Sequence, residues 1–312
     1  MTGRTDEIRR VGSALGSLAR RDHPLGSLTT YRVGGPARLF VEPADEAELR
    51  AVAAAIDGRD VPVLVLGRGS NLLVADEGFS GLVVSLARGF DQIAIEGSTV
   101  RAGSAVSLPV LARRSASAGL TGLEWAVGVP GSVGGAIRMN AGGHGSDTAR
   151  VLVGCRVVDL RSGVTTDVPV ARLAYAYRHS SLSCSEVVVA GRFGLQPGDA
   201  EESLGQIAEI VRWRREHQPG GSNAGSVFTN PPGDSAGRLI DEAGLKGHRI
   251  GSAEVSPKHA NFIQADAGGS AADVRRLIED VQRRVRERFG VELATEVRMI
   301  GFDTAASARP LS

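Results

Sequence analysis

The chain has 312 residues, 42% of them hydrophobic, with 36 Lys+Arg against 35 Asp+Glu and a net charge of +1. That length and composition suit a globular protein of two domains, or one large domain, and the balanced charge gives no electrostatic case for a nucleic-acid or anionic-membrane partner. No stretch approaches the roughly 18 apolar residues of a membrane span, and the first residues lack an apolar leader core, so the expected compartment is the cytoplasm.

Residues 1–24 read as a lead segment. From Arg38 to Leu86 the pattern is strand, helix, strand, loop, strand. Asp45 and Glu48 make a capping pair, and Leu49, Val52, Ala53 and Ile56 form a helical stripe. The apolar runs Val61 to Leu66 and Gly81 to Leu86 read as buried strands. A second unit follows, with a helix over Leu108 to Ala118, a glycine-rich stretch from Gly128 to Gly145, and strands around Val151 to Leu160 and Val187 to Phe193.

The turn-like run Gln196, Pro197, Gly198, Asp199 is the expected domain boundary. It divides residues 25–197, themselves split near residue 87, from residues 198–303. Helices are expected at about Glu202 to Glu216, Ser235 to Ala243 and Ala271 to Phe289. Ser270 caps the last, Asp273 sits at its third position, Val274, Leu277, Ile278, Val281 and Val285 form its core stripe, and Gly290 ends it. Val291, Leu293, Val297 and Met299 then alternate as a strand, with Glu296 on the opposite face. The last residues, 304–312, are expected to be disordered. Fold class is α+β.

Cys155 and Cys184 form no CxxC pair and read as two buried thiols, and six histidines without HExxH-like spacing give no reason to expect a metal. Glycine is abundant, 41 residues, without a collagen-like period. Glycines let backbone approach a ligand and aim N–H groups at phosphate oxygens. Two loops qualify: Gly67, Arg68, Gly69, Ser70, Asn71, and Pro130, Gly131, Ser132, Val133, Gly134, Gly135, Ala136, the latter running on to Asn140 and Gly142. The only lysines are Lys246 and Lys258, so neither loop is a Walker A site, and Leu72 stands where a Rossmann fingerprint from Gly67 and Gly69 needs its third glycine. Taken alone, the loops read as tight turns or as a ligand cradle.

Seven strings occur in one order: TTYRVGGPA from Thr29, VLGRGSNLL from Val65, GVPGSVGGAIRMNAGG from Gly128, YRHSS from Tyr177, NAGSVFTNP from Asn223, KHANFI from Lys258 and TEVRMIG from Thr295. Together they resemble the UDP-N-acetylenolpyruvoylglucosamine reductase (MurB) family over roughly Leu25 to Gly301. The resemblance implies a two-part FAD-binding domain of the vanillyl-alcohol-oxidase type followed by an α+β substrate-binding domain. It implies noncovalent FAD, with NADPH as hydride donor, and reduction of the enolpyruvyl ether of a UDP-sugar to the lactyl ether for peptidoglycan. It also implies roles in cell-wall biogenesis, cell shape and division, with small-molecule partners and no obligate protein partner.

In that reaction hydride adds to the terminal enolpyruvyl carbon, and charge builds on the neighbouring carbon and its carboxylate. Arg178 is always charged and able to meet a carboxylate in bidentate fashion. By resemblance it stabilises that charge, Glu296 works with it, and Ser226 protonates the carbon. The resemblance further places Arg214, His217, Asn230, Lys258 and His259 at the UDP-sugar, and the two glycine loops at the FAD.

There are departures. Thr229 and His217 stand where other members often carry lysine, and no segment carries the substrate-clamping tyrosine of the longer class, since the only tyrosines are Tyr31, Tyr175 and Tyr177. The chain therefore resembles the shorter class. Two other readings remain: a flavin oxidase or dehydrogenase of the same fold acting on another small molecule, and a catalytically silent nucleotide-sugar-binding relative. The joint presence of Arg178, Ser226 and Glu296 favours the reductase.

Overall fold

The computed structural model describes residues 2–302, so the expected disorder of residues 304–312 lies outside the described residues. The lead segment forms helix α1 (Thr2–Leu15), which turns Ile8, Val11 and Leu15 inward, and strand β1 (Ala19–Pro24). Sequence periodicity misses β1 because it is a polar edge strand, Ala-Arg-Arg-Asp-His-Pro, held by antiparallel backbone pairing to β2 (Pro36–Val41). Helix α2 (Glu46–Ile56) crosses to β3 (Val63–Leu66); after β4 (Leu72–Val74) the chain returns as β5 (Phe79–Ser85). The sheet order is β1-β2-β5-β3, and β2, β5 and β3 run parallel. Asp45 accepts the Glu48 N–H, and the expected stripe of α2 is buried on this sheet.

The second sheet is antiparallel. Its hairpin β6 (Ile93–Glu96) and β7 (Thr99–Gly103) leads into α3 (Leu108–Ser117), β8 (Leu120–Thr121) and α4 (Val133–Met139). Two short strands, β9 (Gly142–Gly143) and β10 (Ser146–Asp147), precede β11 (Leu152–Asp159), β12 (Thr165–Pro169), β13 (Glu186–Gly194) and β14 (Gln196–Pro197). The order is β12-β11-β13-β7-β6, and Val158, Leu160, Val187 and Val189 join the same core as α2. The two sheets thus share buried surface.

The division at Gln196–Asp199 does not coincide with a change in packing. Gln196 and Pro197 pair with β8, and Asp199 caps α5 (Ala200–His217), whose Ile207, Ile210 and Val211 pack with Val100, Leu111 and Phe193. Helix α5 buries only a narrow face, so its composition looks foreign to the unit it belongs to. The boundary moves to the end of α5, where Gln218 is extended.

Beyond it lie α6 (Ala236–Glu242), the small antiparallel sheet β15 (Arg249–Ile250), β16 (Ala253–Val255) and β17 (Ile263–Ala265), helix α7 (Ala271–Phe289) and β18 (Arg298–Ile300). Ser270 caps α7, its five stripe residues are fully buried, and Gly290 closes it at φ +69°. The strand expected from Val291 to Met299 shrinks to β18, which pairs in parallel with β4. The preceding residues bury Leu293 and Val297 but form only a single bridge, Phe228 to Thr295. Of the two thiols, Cys155 is buried, with its pKa pushed up to about 12 by desolvation, whereas Cys184 is exposed, contrary to expectation.

Candidate active site

The first glycine loop leaves β3 and turns through Gly69 at φ +58°, where a Cβ would stand 2.3 Å from the Leu28 carbonyl oxygen. The second enters α4 through Ser132, whose hydroxyl caps the Gly135 N–H. A Cβ on Gly67 would meet that hydroxyl at 2.7 Å, so the two loops face one another closely. Val133 and Gly134 spend their N–H groups on Val106 and Ser104, while among the described residues the amides of Arg68, Gly69 and Ser70 have no partner within the protein.

Beside each loop lies an orphaned buried hydroxyl. Thr30 Oγ1 adjoins the first, where the Thr30 N–H bonds to the Gly69 carbonyl, and Ser104 Oγ adjoins the second, where the Ser104 carbonyl accepts from Gly134. Unspent amides, orphaned hydroxyls and glycines with no room for a Cβ fit a pyrophosphate-bearing dinucleotide.

Not every residue assigned to the cofactor from sequence is free to meet it. Ala136 sends its methyl into the core and its N–H to Ser132. The Asn71 side chain donates to the Glu296 carbonyl at 3.0 Å. Asn140 is buried, with its amide donating to the Ala176 carbonyl at 3.2 Å and its Oδ1 accepting the Ala149 N–H at 2.9 Å. Ala136 and Asn140 are corrected to internal roles, because their polar groups are satisfied within the protein or their side chain is in the core, whereas Asn71 keeps its N–H and side-chain oxygen unspent among the described residues. Gly67, Arg68, Gly69, Ser70, Asn71, Pro130, Gly131, Ser132, Gly134, Gly135 and Gly142 remain as candidates for the cradle; among them, Gly134, Gly135 and Gly142 already spend a backbone group inside the protein.

Arg178 lies on a loop that folds back over the end of α4. Tyr175 Oη donates to the Ile137 carbonyl at 2.8 Å, Ser180 Oγ to that of Arg138 at 2.6 Å, and Arg138 itself donates to the Leu182 carbonyl. These bonds hold Ala174 and Arg178 at positive φ, +41° and +52°, where side chains are disfavoured. The guanidinium donates from Nη2 to the Gly142 carbonyl at 2.9 Å and from Nε to Glu296 Oε1 at 2.6 Å.

Glu296 approaches from the other side. Its N–H donates to the Val227 carbonyl at 2.8 Å, so the half-buried Ser226, one residue earlier, is carried on the strip of backbone that pairs with Glu296. Asn261 brackets that strip, bonding both the N–H and the carbonyl of Phe228. The structure therefore brings Arg178, Glu296 and the Ser226 segment together at the edge of both glycine loops.

The five substrate-side residues fall into two groups. Arg214, His217 and Lys258 gather at the end of α5: Arg214 Nε donates to Gln218 at 2.8 Å, His217 stacks on Trp213 with ring centroids 4.7 Å apart, and Lys258 Nζ donates to the Arg215 carbonyl at 2.5 Å. Burial lowers the Arg214 pKa. Asn230 and His259 sit at the start of α6, where Asn230 Oδ1 accepts the Ala236 N–H and His259 Nδ1 accepts that of Asn261. Burial lowers the His259 pKa and favours the neutral ring. Thr229 turns to the Ala294 carbonyl and contributes no charge.

One residue was overlooked. Tyr177 is 65% exposed, and its ring lies 4.9 Å from the Arg178 guanidinium carbon. Its position beside Arg178 in YRHSS was the available signal.

Comparison with known proteins gives a consistent picture. Residues 217–300 match the family model described as UDP-N-acetylenolpyruvoylglucosamine reductase, C-terminal domain, and residues 37–168 match the one described as FAD binding domain. The chain is 44% identical over 285 residues to the UDP-N-acetylenolpyruvoylglucosamine reductase of Rubrobacter xylanophilus, spanning 91% of this chain and 95% of that one. Its fold is similar to the crystal structure of UDP-N-acetylenolpyruvylglucosamine reductase from Thermus caldophilus, with a TM-score of 0.79 and 38% identity over 90% of this chain and 99% of that one. BBE-like 1 of Physcomitrella patens shares the fold alone, with a TM-score of 0.54 at 13% identity over 89% of this chain and 88% of that one.

Proposed function

The chain belongs to the UDP-N-acetylenolpyruvoylglucosamine reductase family, and from that membership we infer how its residues carry out the family's reaction. The protein is an FAD-dependent, NADPH-driven oxidoreductase that reduces UDP-N-acetylglucosamine enolpyruvate to UDP-N-acetylmuramate for peptidoglycan. Among the described residues no helix is long and apolar enough to cross a membrane. Action in the cytoplasm, with consequences for cell shape and division, is part of the same inference.

The observation that carries the site assignment is the Arg178 to Glu296 pair, 2.6 Å apart and 118 residues apart in sequence, tied to one glycine loop through Gly142 and to the other through Asn71. FAD, when bound, supplies two-electron redox chemistry, accepting hydride from NADPH and delivering it to the terminal enolpyruvyl carbon. The residues then manage charge and proton. As the methylene becomes a methyl, the electron pair moves onto the neighbouring carbon and its carboxylate. Arg178 offers its remaining N–H bonds to that charge in a partly buried site, where such bonds are worth more than in water. Glu296 fixes the guanidinium through Nε and shares the carboxyl end. Ser226 Oγ donates its proton to the carbon, closing the new C–H bond, and recovers a proton from solvent. The cations at the end of α5, Arg214 and Lys258 with His217, face the diphosphate; Asn230 and His259 complete the sugar-nucleotide contacts.

Single-turnover kinetics of Ser226→Ala test the assignment. Reduction of the flavin by NADPH should proceed at the normal rate, while sugar-dependent reoxidation should slow by at least about 100-fold, a typical loss for a general acid. Reoxidation at the wild-type rate would remove Ser226 from the mechanism.

A further inference from the structure

We propose that Tyr177 is a positioning residue for this reaction: its ring steadies the Arg178 guanidinium from one side, so that the Arg178 and Glu296 pair meets the carboxyl end of the substrate in one orientation. The proposal rests on the reading of Arg178 and Glu296 given above.

The guanidinium needs such support. Its Nε is spent on Glu296 and its Nη2 on the Gly142 carbonyl, while the reach from Nη1 to the Asn140 carbonyl is long, at 3.5 Å. It is therefore anchored firmly along one edge, with rotation about that edge loosely opposed. An aromatic ring 4.9 Å from the guanidinium carbon opposes it, because a cation is attracted to the ring face and a planar guanidinium stacks there.

Elimination points the same way. The chain has three tyrosines. Tyr31 is fully buried and Tyr175 spends its hydroxyl on the Ile137 carbonyl, so Tyr177 alone, 65% exposed, presents a phenol to the open site. A side chain this exposed contributes little to packing, so its loss reads out on chemistry.

The test is anaerobic single-turnover kinetics on the full FAD-loaded chain with Tyr177→Phe, Tyr177→Ala and, as reference, Glu296→Gln. Tyr177→Phe, which keeps the ring, is expected to reoxidise at saturating sugar within about twofold of wild type, and Tyr177→Ala to slow about tenfold. Flavin content, melting temperature and the rate of reduction by NADPH should stay within about twofold or 2 °C of wild type, and the KM for the sugar should move less than the maximal rate. If Glu296→Gln is slow but Tyr177→Ala matches wild type, or Tyr177→Phe is as slow as Tyr177→Ala, the proposal is overturned and the reading of the site survives. If Glu296→Gln is also unimpaired, that reading fails as well. Loss of flavin or a lower melting temperature in either tyrosine variant would make the role structural and overturn the proposal.

Discussion

Arg178 sits at φ +52° and is held there by neighbours. A residue in this region costs of order 1–3 kcal/mol, so the surrounding bonds must over-determine it. Asn140, itself at φ +42°, is central: one side-chain group bonds to Ala176, another to Ala149, and its carbonyl faces Arg178. Its place in a glycine-rich run suggested a cofactor contact, and sequence offers no sign that both ends of its amide are spent inside the protein. Asn140→Asp keeps the acceptor for Ala149 but loses the donor to Ala176. It is expected to bind FAD and accept hydride from NADPH normally, while sugar-dependent reoxidation slows about tenfold, the worth of one to two hydrogen bonds. Equal slowing of both half-reactions would return Asn140 to the cofactor site. Residue types with singular chemistry, Arg178 and Glu296, were singled out because seven ordered strings pointed to them; Tyr177 was in view but unassigned, because sequence does not show its ring turned onto the guanidinium of its neighbour.

Helices with a clear apolar period announce themselves, and α2, α3 and α7 lie within a residue or two of expectation. Where backbone pairing alone makes the element, as in β1, or where a long alternation is satisfied by one bridge, as before β18, the pattern of side chains misleads. The start of α7 shows how tightly its flank is built. Asp273 accepts the Ser252 N–H and hydroxyl, and a Cβ on Gly251 would come within 2.2 Å of its carboxylate. The backbone and hydroxyl bonds from Ser252, then the Arg276 contact, hold the Asp273 pKa at about 2, below its usual 3.8. Because the folded value is depressed, its contribution is full above about pH 4 and disappears as pH falls through about 2. Asp273→Asn is therefore expected to lower stability at neutral pH by about 1.5–3 kcal/mol and to flatten the acid limb between about pH 4 and pH 2. Urea unfolding across that range checks both, and an unchanged acid limb would remove Asp273 from the account.

The units meet through contacts that no local pattern reveals. Strand β4 pairs with β18, the Asp76 carboxylate accepts the Ala271 and Ala272 N–H groups at the start of α7, and Tyr31, Val33, Leu73 and Ala75 enter the C-terminal core. These ties set Glu296 against the first glycine loop and, through Arg178, against the second. The α+β class and the two-part cofactor domain could be read from motif order; the true end of that domain could not, because α5 looks like its neighbour in sequence and packs with its predecessor. The central claim is that one cleft carries out both half-reactions, and the visible absorbance of the FAD-loaded protein under strict anaerobiosis tests it most directly. Added NADPH should bleach the flavin band, and stoichiometric UDP-N-acetylglucosamine enolpyruvate should then restore it without oxygen. A band that bleaches with NADPH but returns only when air is admitted would contradict the account.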